Sequence, residues 1–191
     1  MISRFPFRFI SFSLLAAITF GGSTHSIDFT EPTNFSRDLV FPGHDSADGP
    51  LRGVALCLRW RHARDVVCES LDAQSSVIQS AYTTAVIDIS LGGSSLATLS
   101  FAPFQRLDTL TAFDGTLDFQ GTSAFQTETS TLGNQLIVIE DPAIVAAFVD
   151  VPSVTINVRG VDIFSLAGPG NLLSRSMTEF QLQGMLIYGG V

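Results

Sequence analysis

The sequence contains no lysine, so all ten of its basic residues are arginine. Eighteen Asp and Glu residues outnumber them, and the formal net charge is −8. Binding to nucleic acid or to an anionic membrane surface depends on basic patches, and this balance disfavours both as partners. The two Cys residues alone offer too few ligands for a zinc site, and a lone histidine in a turn, such as His44, does not make one. We therefore expect no metal and no other cofactor.

Long apolar runs are missing apart from one near the N-terminus. Phe9–Phe20 is almost wholly apolar, but it is shorter than the roughly 20 residues that a helix needs to cross a bilayer. Arg4 and Arg8 precede it and small residues follow it, which is the pattern of a secretory signal peptide. We predict a cleaved signal peptide over residues 1–23 and a single β-sandwich domain over 24–191. The mature chain would be secreted, periplasmic or extracellular, with no transmembrane segment.

Beyond residue 23, apolar and polar residues repeatedly alternate at period two, which is typical of half-buried strands. Ala85, Ile87 and Ile89 form the clearest inward face, and turn sequences separate the apolar runs. The pattern predicts an all-β fold, an antiparallel β-sandwich that is jelly-roll-like. One short helix is predicted near 142–148, capped by Asp141, where it would plug an open end of the sandwich.

Three local predictions depend on single segments. Leu117 and Phe119 are predicted to fill the core from a strand. Gly133 and Asn134 are predicted to form a turn. Since the compartment is expected to be oxidising, the isolated pair of cysteines is predicted to form a disulfide across an antiparallel hairpin or a looser loop. Its members are Cys57 and Cys68, with His62 and Ala63 at the turn.

The only cluster of basic and aromatic residues lies between the two cysteines. It consists of Arg59, Trp60, Arg61, His62 and Arg64. An exposed Trp beside arginines can stack on a sugar or grip a carboxylate, so this cluster is a candidate binding loop. The strand alternation instead points Trp60 inward and the arginines outward as ordinary surface residues. Both interpretations stay open at this point.

Two stretches resemble a known family. Asn34–Pro42, followed by Asp45 and Gly49, is similar to the opening of the choice-of-anchor E domain of exported bacterial proteins. Phe113–Ser123 looks like that family's central motif, F-D-G-T-L-D-F-x-G-T-S. The matching motif residues are Asp114, Gly115, Leu117, Asp118, Phe119, Gly121, Thr122 and Ser123. The resemblance implies an extracellular bacterial domain without an assigned activity, and it supplies no catalytic residue.

This chain departs from the family pattern in its cysteine pair and in the absence of a C-terminal sorting signal. We therefore expect a released or non-covalently held member. The motif also offers calcium-type oxygens at Asp114, Asp118 and Ser123, although a turn followed by core residues is the favoured interpretation. The segment Gly92–Leu96 falls short of a nucleophile elbow, and no catalytic residue is predicted.

Three functional hypotheses follow from these observations. The first is a structural or adhesive component of the cell exterior, with an extracellular protein or a polysaccharide matrix as partner. The alternative is a carbohydrate-binding module that uses Trp60. A secreted hydrolase is the least favoured, and we do not expect an enzyme. The sequence leaves the oligomeric state open.

Overall fold

A computed structural model describes residues 23–32, 34–168 and 170–190. In this part of the chain, nine strands and one short helix are formed, which confirms the predicted all-β sandwich. The strands are β1 (Thr24–Pro32), β2 (Phe35–Pro42), β3 (Leu51–Ser70), β4 (Ser76–Leu91), β5 (Ser94–Ser100), β6 (Phe104–Leu110), β7 (Ala124–Ile139), β8 (Ser153–Ala167) and β9 (Leu172–Gly190). Helix α1 (Pro142–Val145) continues as a 3-10 turn over Ala146–Phe148, and a second 3-10 turn covers Ser46–Asp48.

The strands form two antiparallel sheets that pack face to face. Sheet A has the order β1-β9-β3-β7, and sheet B has the order β2-β8-β4-β5. Strand β6 pairs with the first half of β4, and β5 pairs with its second half. With β5 and β6 counted as one interrupted strand, this is the strand order of a jelly roll.

The core consists of two apolar clusters between the sheets. The larger one includes the predicted inward face of β4, where Ala85, Ile87 and Ile89 are at most 1% exposed. The smaller one is formed by Val66, Cys68, Ile78, Ala81, Leu110 and Phe125. Both follow from the period-two geometry of strands, which sends alternate side chains to the same face. A layer of polar side chains separates the two clusters.

The predicted helix is confirmed at the end of the larger cluster. The Asp141 carboxylate accepts a hydrogen bond from the Ala143 N–H at 2.9 Å, and Pro142 occupies the first helical turn. Val145 and Phe148 are buried against the cluster. An N-cap and a proline thus start a helix long enough to close this end of the sandwich.

The predicted disulfide and its hairpin are wrong. Cys57 and Cys68 lie on one unbroken strand, β3, and both are buried free thiols. Eleven residues of extended chain separate their Cα atoms by about 36 Å, far beyond the reach of a disulfide. The chain does not turn at His62 because its neighbours on both sides continue the ladder, β7 on one side and β9 on the other.

Two other local predictions are also wrong. Gly133 and Asn134 lie within β7 and form no turn. Leu117 is 56% exposed, and Phe119 has a φ of 57° in the loop between β6 and β7. Short-range hydrogen bonds explain the loop: the Asp114 and Asp118 carboxylates each accept the N–H two residues further on, at 2.9 Å. Such turns replace the ladder bonds that a strand would need.

The predicted signal peptide falls almost entirely outside the described residues, which begin at residue 23. Within the described ranges, α1 spans four residues. No helix in this part of the chain combines the length and apolar character needed to cross a membrane.

Candidate functional site

The basic and aromatic cluster is not a loop, because all five residues lie in the middle of strand β3. Alternation along the strand sends Trp60, His62 and Arg64 toward sheet B and leaves Arg59 and Arg61 on the outer face of sheet A. The predicted outward direction is therefore wrong for Arg64. Arg61 lies 3.7 Å from the carboxylate of Glu179 on that outer face.

Trp60 points inward, as the alternation predicts. Its ring stands perpendicular to that of Phe101, with the centroids 6.4 Å apart. On the neighbouring strand β7, Gly133 lies directly across from it. The indole is half-buried and packs against the larger apolar cluster. It forms part of the sandwich interior rather than a projecting platform.

His62 belongs to the polar layer between the two apolar clusters. Its side chain is 1% exposed, and its ring centroid lies 4.6 Å from that of Phe101. Burial, with a smaller effect of the Arg64 charge, lowers the pKa of His62 to about 4. The imidazole is therefore neutral at pH 7, and among the described residues its Nε2 has no hydrogen-bond partner.

Arg64 contributes the charge of the polar layer. It is 7% exposed, and its NH1 donates to the carbonyl of Ala102, in the connection between β5 and β6, at 3.0 Å. Burial lowers the pKa of Arg64, and the charge of Asp162 acts in the opposite direction. On sheet B, the buried Thr83 hydroxyl donates to the Asp162 carboxylate at 3.0 Å. The layer thus holds the buried Arg64 guanidinium between the sheets, with the half-buried Asp162 carboxylate acting on its charge from sheet B.

The family-like motif forms a loop that is anchored to β3 by a buried carboxylate. Glu69 is 0% exposed, and one of its oxygens accepts the Phe119 N–H at 2.8 Å. Next to it, the Ser70 N–H donates to the carbonyl of Ser123 at 2.8 Å. Sequence reasoning missed Glu69, although an acidic residue directly after the apolar run Val66–Cys68 is an available signal.

Within the described chain, no group of three or more His, Cys, Asp or Glu side chains could hold a metal ion.

A second polar cluster lies near α1, at the turn between β2 and β3. The His44 Nε2 lies 2.9 Å from the Gly49 carbonyl, and the Asp150 carboxylate accepts the Ser46 N–H at 2.8 Å. This hydrogen bond lowers the pKa of Asp150. Close by, a groove of about 600 Å³ carries Arg52 and Glu140 on its lining. The hydrogen bond between Ser46 and Asp150 holds the turn against the connection between α1 and β8.

The outer face of sheet A carries an apolar surface that we call the outer patch. Its partly exposed side chains are Leu136, Val138, Met185 and Ile187, which stand beside Ala55 and Cys57, both 1% exposed. In one row Cys57 is flanked by Leu136 and Met185, and in the next row Ala55 is flanked by Val138 and Ile187. Leu136 and Val138 are 38% and 46% exposed. Sequence reasoning missed this patch, although the uninterrupted apolar run at the end of β7 indicates a strand that is apolar on both faces.

Comparison with known proteins adds little to these observations. No known protein family and no curated protein sequence matches the chain. Among solved structures, it is similar to infectious bursal disease virus of the Gx strain, with 16% identity and a TM-score of 0.31 over 88% of this chain and 33% of that one. It is also similar to the T13 IBDV viral particle, with 12% identity and a TM-score of 0.20 over 87% of this chain and 36% of that one. For the Gt strain of the virus, the identity is 10% and the TM-score is 0.17 over 86% of this chain and 40% of that one. The chain spans only 33% to 40% of these proteins, and TM-scores this low carry no argument about fold or function.

Proposed function

We propose that this protein is an exported structural or adhesive component of the cell exterior that contacts protein or matrix through the outer face of sheet A. The observation that carries the proposal is the outer patch. Contiguous apolar surface on a folded protein commonly marks a contact site, because a partner that covers it removes apolar area from water. The signal-peptide pattern and the family resemblance support the location.

The outer patch has the construction of a contact surface. Neighbouring strands lie about 4.8 Å apart, so the side chains of one row touch across the sheet. The small residues Ala55 and Cys57 occupy the middle of each row, and the larger Leu136 and Val138 stand beside them on β7. The next position along β3 on this face is Arg59. An apolar centre with a polar border is the usual anatomy of a protein contact.

The geometry favours neither a carbohydrate-binding module nor a secreted hydrolase, the two alternatives that the sequence leaves open. A sugar platform needs an open aromatic face, whereas Trp60 packs edge-on to Phe101 inside the sandwich. A catalytic base must reach its substrate, whereas His62 is 1% exposed and has a pKa lowered to about 4. The outer patch needs no opening of the fold to meet a partner.

Fractionation of an exporting culture tests the proposal. We expect the wild-type protein to remain with the cell surface and its matrix, and the double variant Leu136→Ser, Val138→Ser to appear mainly in the medium. Ile163→Ser is the matched control, because this 57% exposed residue lies on sheet B. Circular dichroism checks that all variants are folded. Equal partition of the wild type and the double variant would refute the proposal.

A further inference from the structure

Strand β7 forms an unusually regular free edge of sheet A. It is the last strand of the sheet, and among the described residues it pairs only with β3. The ladder between β7 and β3 has no register shift. It pairs Ala124 with Glu69 at one end and Ile139 with Val54 at the other. Along these sixteen residues, alternate main-chain N–H and C=O groups face away from β3 and can accept another strand.

The other edge strands carry features that block strand addition. Strand β1 contains two acidic residues and ends at a proline, and β2 contains Arg37 and Asp38 and also ends at a proline. Strands β5 and β6 have seven residues each, and both pair irregularly with β4. Charges, prolines, bulges and short length are the usual protections of a sheet edge. Strand β7 has no proline and no bulge, and its only charged residue is Glu128.

We propose that β7 pairs antiparallel with β7 of a second copy of this chain, so that the two copies of sheet A join into one sheet. Two-fold pairing must set outer-face residues against outer-face residues. The register centred on Leu132 does this and overlaps almost the whole strand, from Phe125 to Ile139. It places Leu132, which is 58% exposed, against Leu132 of the second copy. An aliphatic pair across a ladder stabilises the pairing.

Charge makes β7 an edge at which a second copy meets little repulsion. The chain is acidic, with a net charge of −8, so two copies repel each other over most of their surfaces. In the proposed register, Glu128 lies opposite Leu136 of the second copy and about 27 Å along the strand from its own counterpart. That separation exceeds the Debye length of about 8 Å at physiological ionic strength. Strand β7 is thus an edge at which self-pairing brings no like charges together.

This inference rests on the proposed contact role of sheet A and adds a second copy of the chain as a partner at its β7 edge. The test is the sedimentation behaviour of the exported protein. We expect the wild type to be a dimer, and Leu132→Lys and Leu132→Glu each to raise the dissociation constant roughly tenfold or more, because each places like charges face to face. An equimolar mixture of the two variants should restore a dimer. Leu107→Lys, at a 67% exposed position on β6, is the matched control and should remain dimeric.

Restoration by mixing shows that both variants are folded and that position 132 faces its own counterpart. A monomeric wild type would overturn the inference, and so would a dimer that Leu132→Lys leaves intact. A monomer that still remains with the matrix would leave the proposed function standing. A dimer that depends on Leu132 but is released into the medium would refute the proposed function and support the proposed dimer.

Discussion

Trp60 of β3 packs against Gly133 of β7, where any side chain would collide with the indole. A Cβ atom placed on Gly133 would lie 2.4 Å from Cζ2 of the indole. The glycine thus leaves room for the ring where the two strands face each other, and the ring fills the space between β7 and Phe101. This relationship explains why a glycine, which usually weakens a strand, stands in the middle of β7.

Gly133→Ala should displace the indole. We expect the free energy of unfolding to fall by about 1–3 kcal/mol, the usual result of forcing a methyl group into a packed region. The chain has a single tryptophan, so its fluorescence reports this site alone, and the emission should change. Gly184→Ala is the matched control, because its nearest contact would be an ordinary 3.5 Å, and its stability should stay the same or rise. Equal effects of both substitutions would contradict the packing.

Stability should depend on pH through His62. The folded pKa is about 4, below the unfolded value of 6.5, because the buried site excludes the charged imidazole. The unfolded chain therefore binds a proton between these values that the folded chain does not, and the free energy of unfolding falls as the pH drops from about 6.5 to about 4. The full effect is on the order of 3 kcal/mol. Above pH 7, where the imidazole is neutral in both the folded and the unfolded chain, stability no longer depends on pH through His62.

Denaturant titrations of the wild type and His62→Leu across this pH range measure the effect. The variant should lose the part of the slope that comes from His62, whereas the exposed-loop variant Leu117→Ala should keep it. Carboxylates also titrate in this range, so the difference between the two curves is the relevant quantity. Parallel curves for the wild type and His62→Leu would show that the imidazole is not held neutral.

Both thiols should be free and unreactive in the folded protein. Cys57 and Cys68 are at most 1% exposed, and burial raises both pKa values, that of Cys68 to about 11 with a contribution from Glu69. Since the thiolate is the reactive form, alkylation of the native protein should add no mass. Denaturation without a reductant should then allow two adducts. A denatured chain without adducts would show that the two cysteines are joined after all.

Much of the fold is readable from the sequence wherever side-chain polarity follows strand geometry. In β4, Ile87 and Ile89 alternate with the polar Asp88 and Ser90, and the predicted inward face, which also includes Ala85, is confirmed. The cap and proline at Asp141 and Pro142 likewise predicted the plug. These signals are local in sequence.

The site residues were harder to place because the interior of β3 changes character halfway along. The inward positions after Leu58 are occupied by Trp60, His62 and Arg64, so the apolar alternation stops although the strand continues. The hairpin prediction depends on pairing the two flanking cysteines, and both lie on this one unbroken strand as free thiols. The hydrogen bond that Arg64 forms in the buried polar layer goes to a group distant in sequence, the Ala102 carbonyl, and local patterns carry no signal for such a contact.

Glu69 should determine whether the loop over residues 111–123 stays closed. Its carboxylate accepts the Phe119 N–H at 2.8 Å, and Glu69→Ala removes this acceptor from a buried position. We expect the free energy of unfolding to fall by about 1–3 kcal/mol and limited proteolysis within the loop to accelerate. Glu69→Gln keeps an oxygen acceptor and should retain most of the protection, which separates the hydrogen bond from the charge. Glu128→Ala, on the exposed face of β7, should change stability by no more than about 0.5 kcal/mol. If Glu69→Ala and Glu128→Ala behave alike, the carboxylate does not anchor the loop.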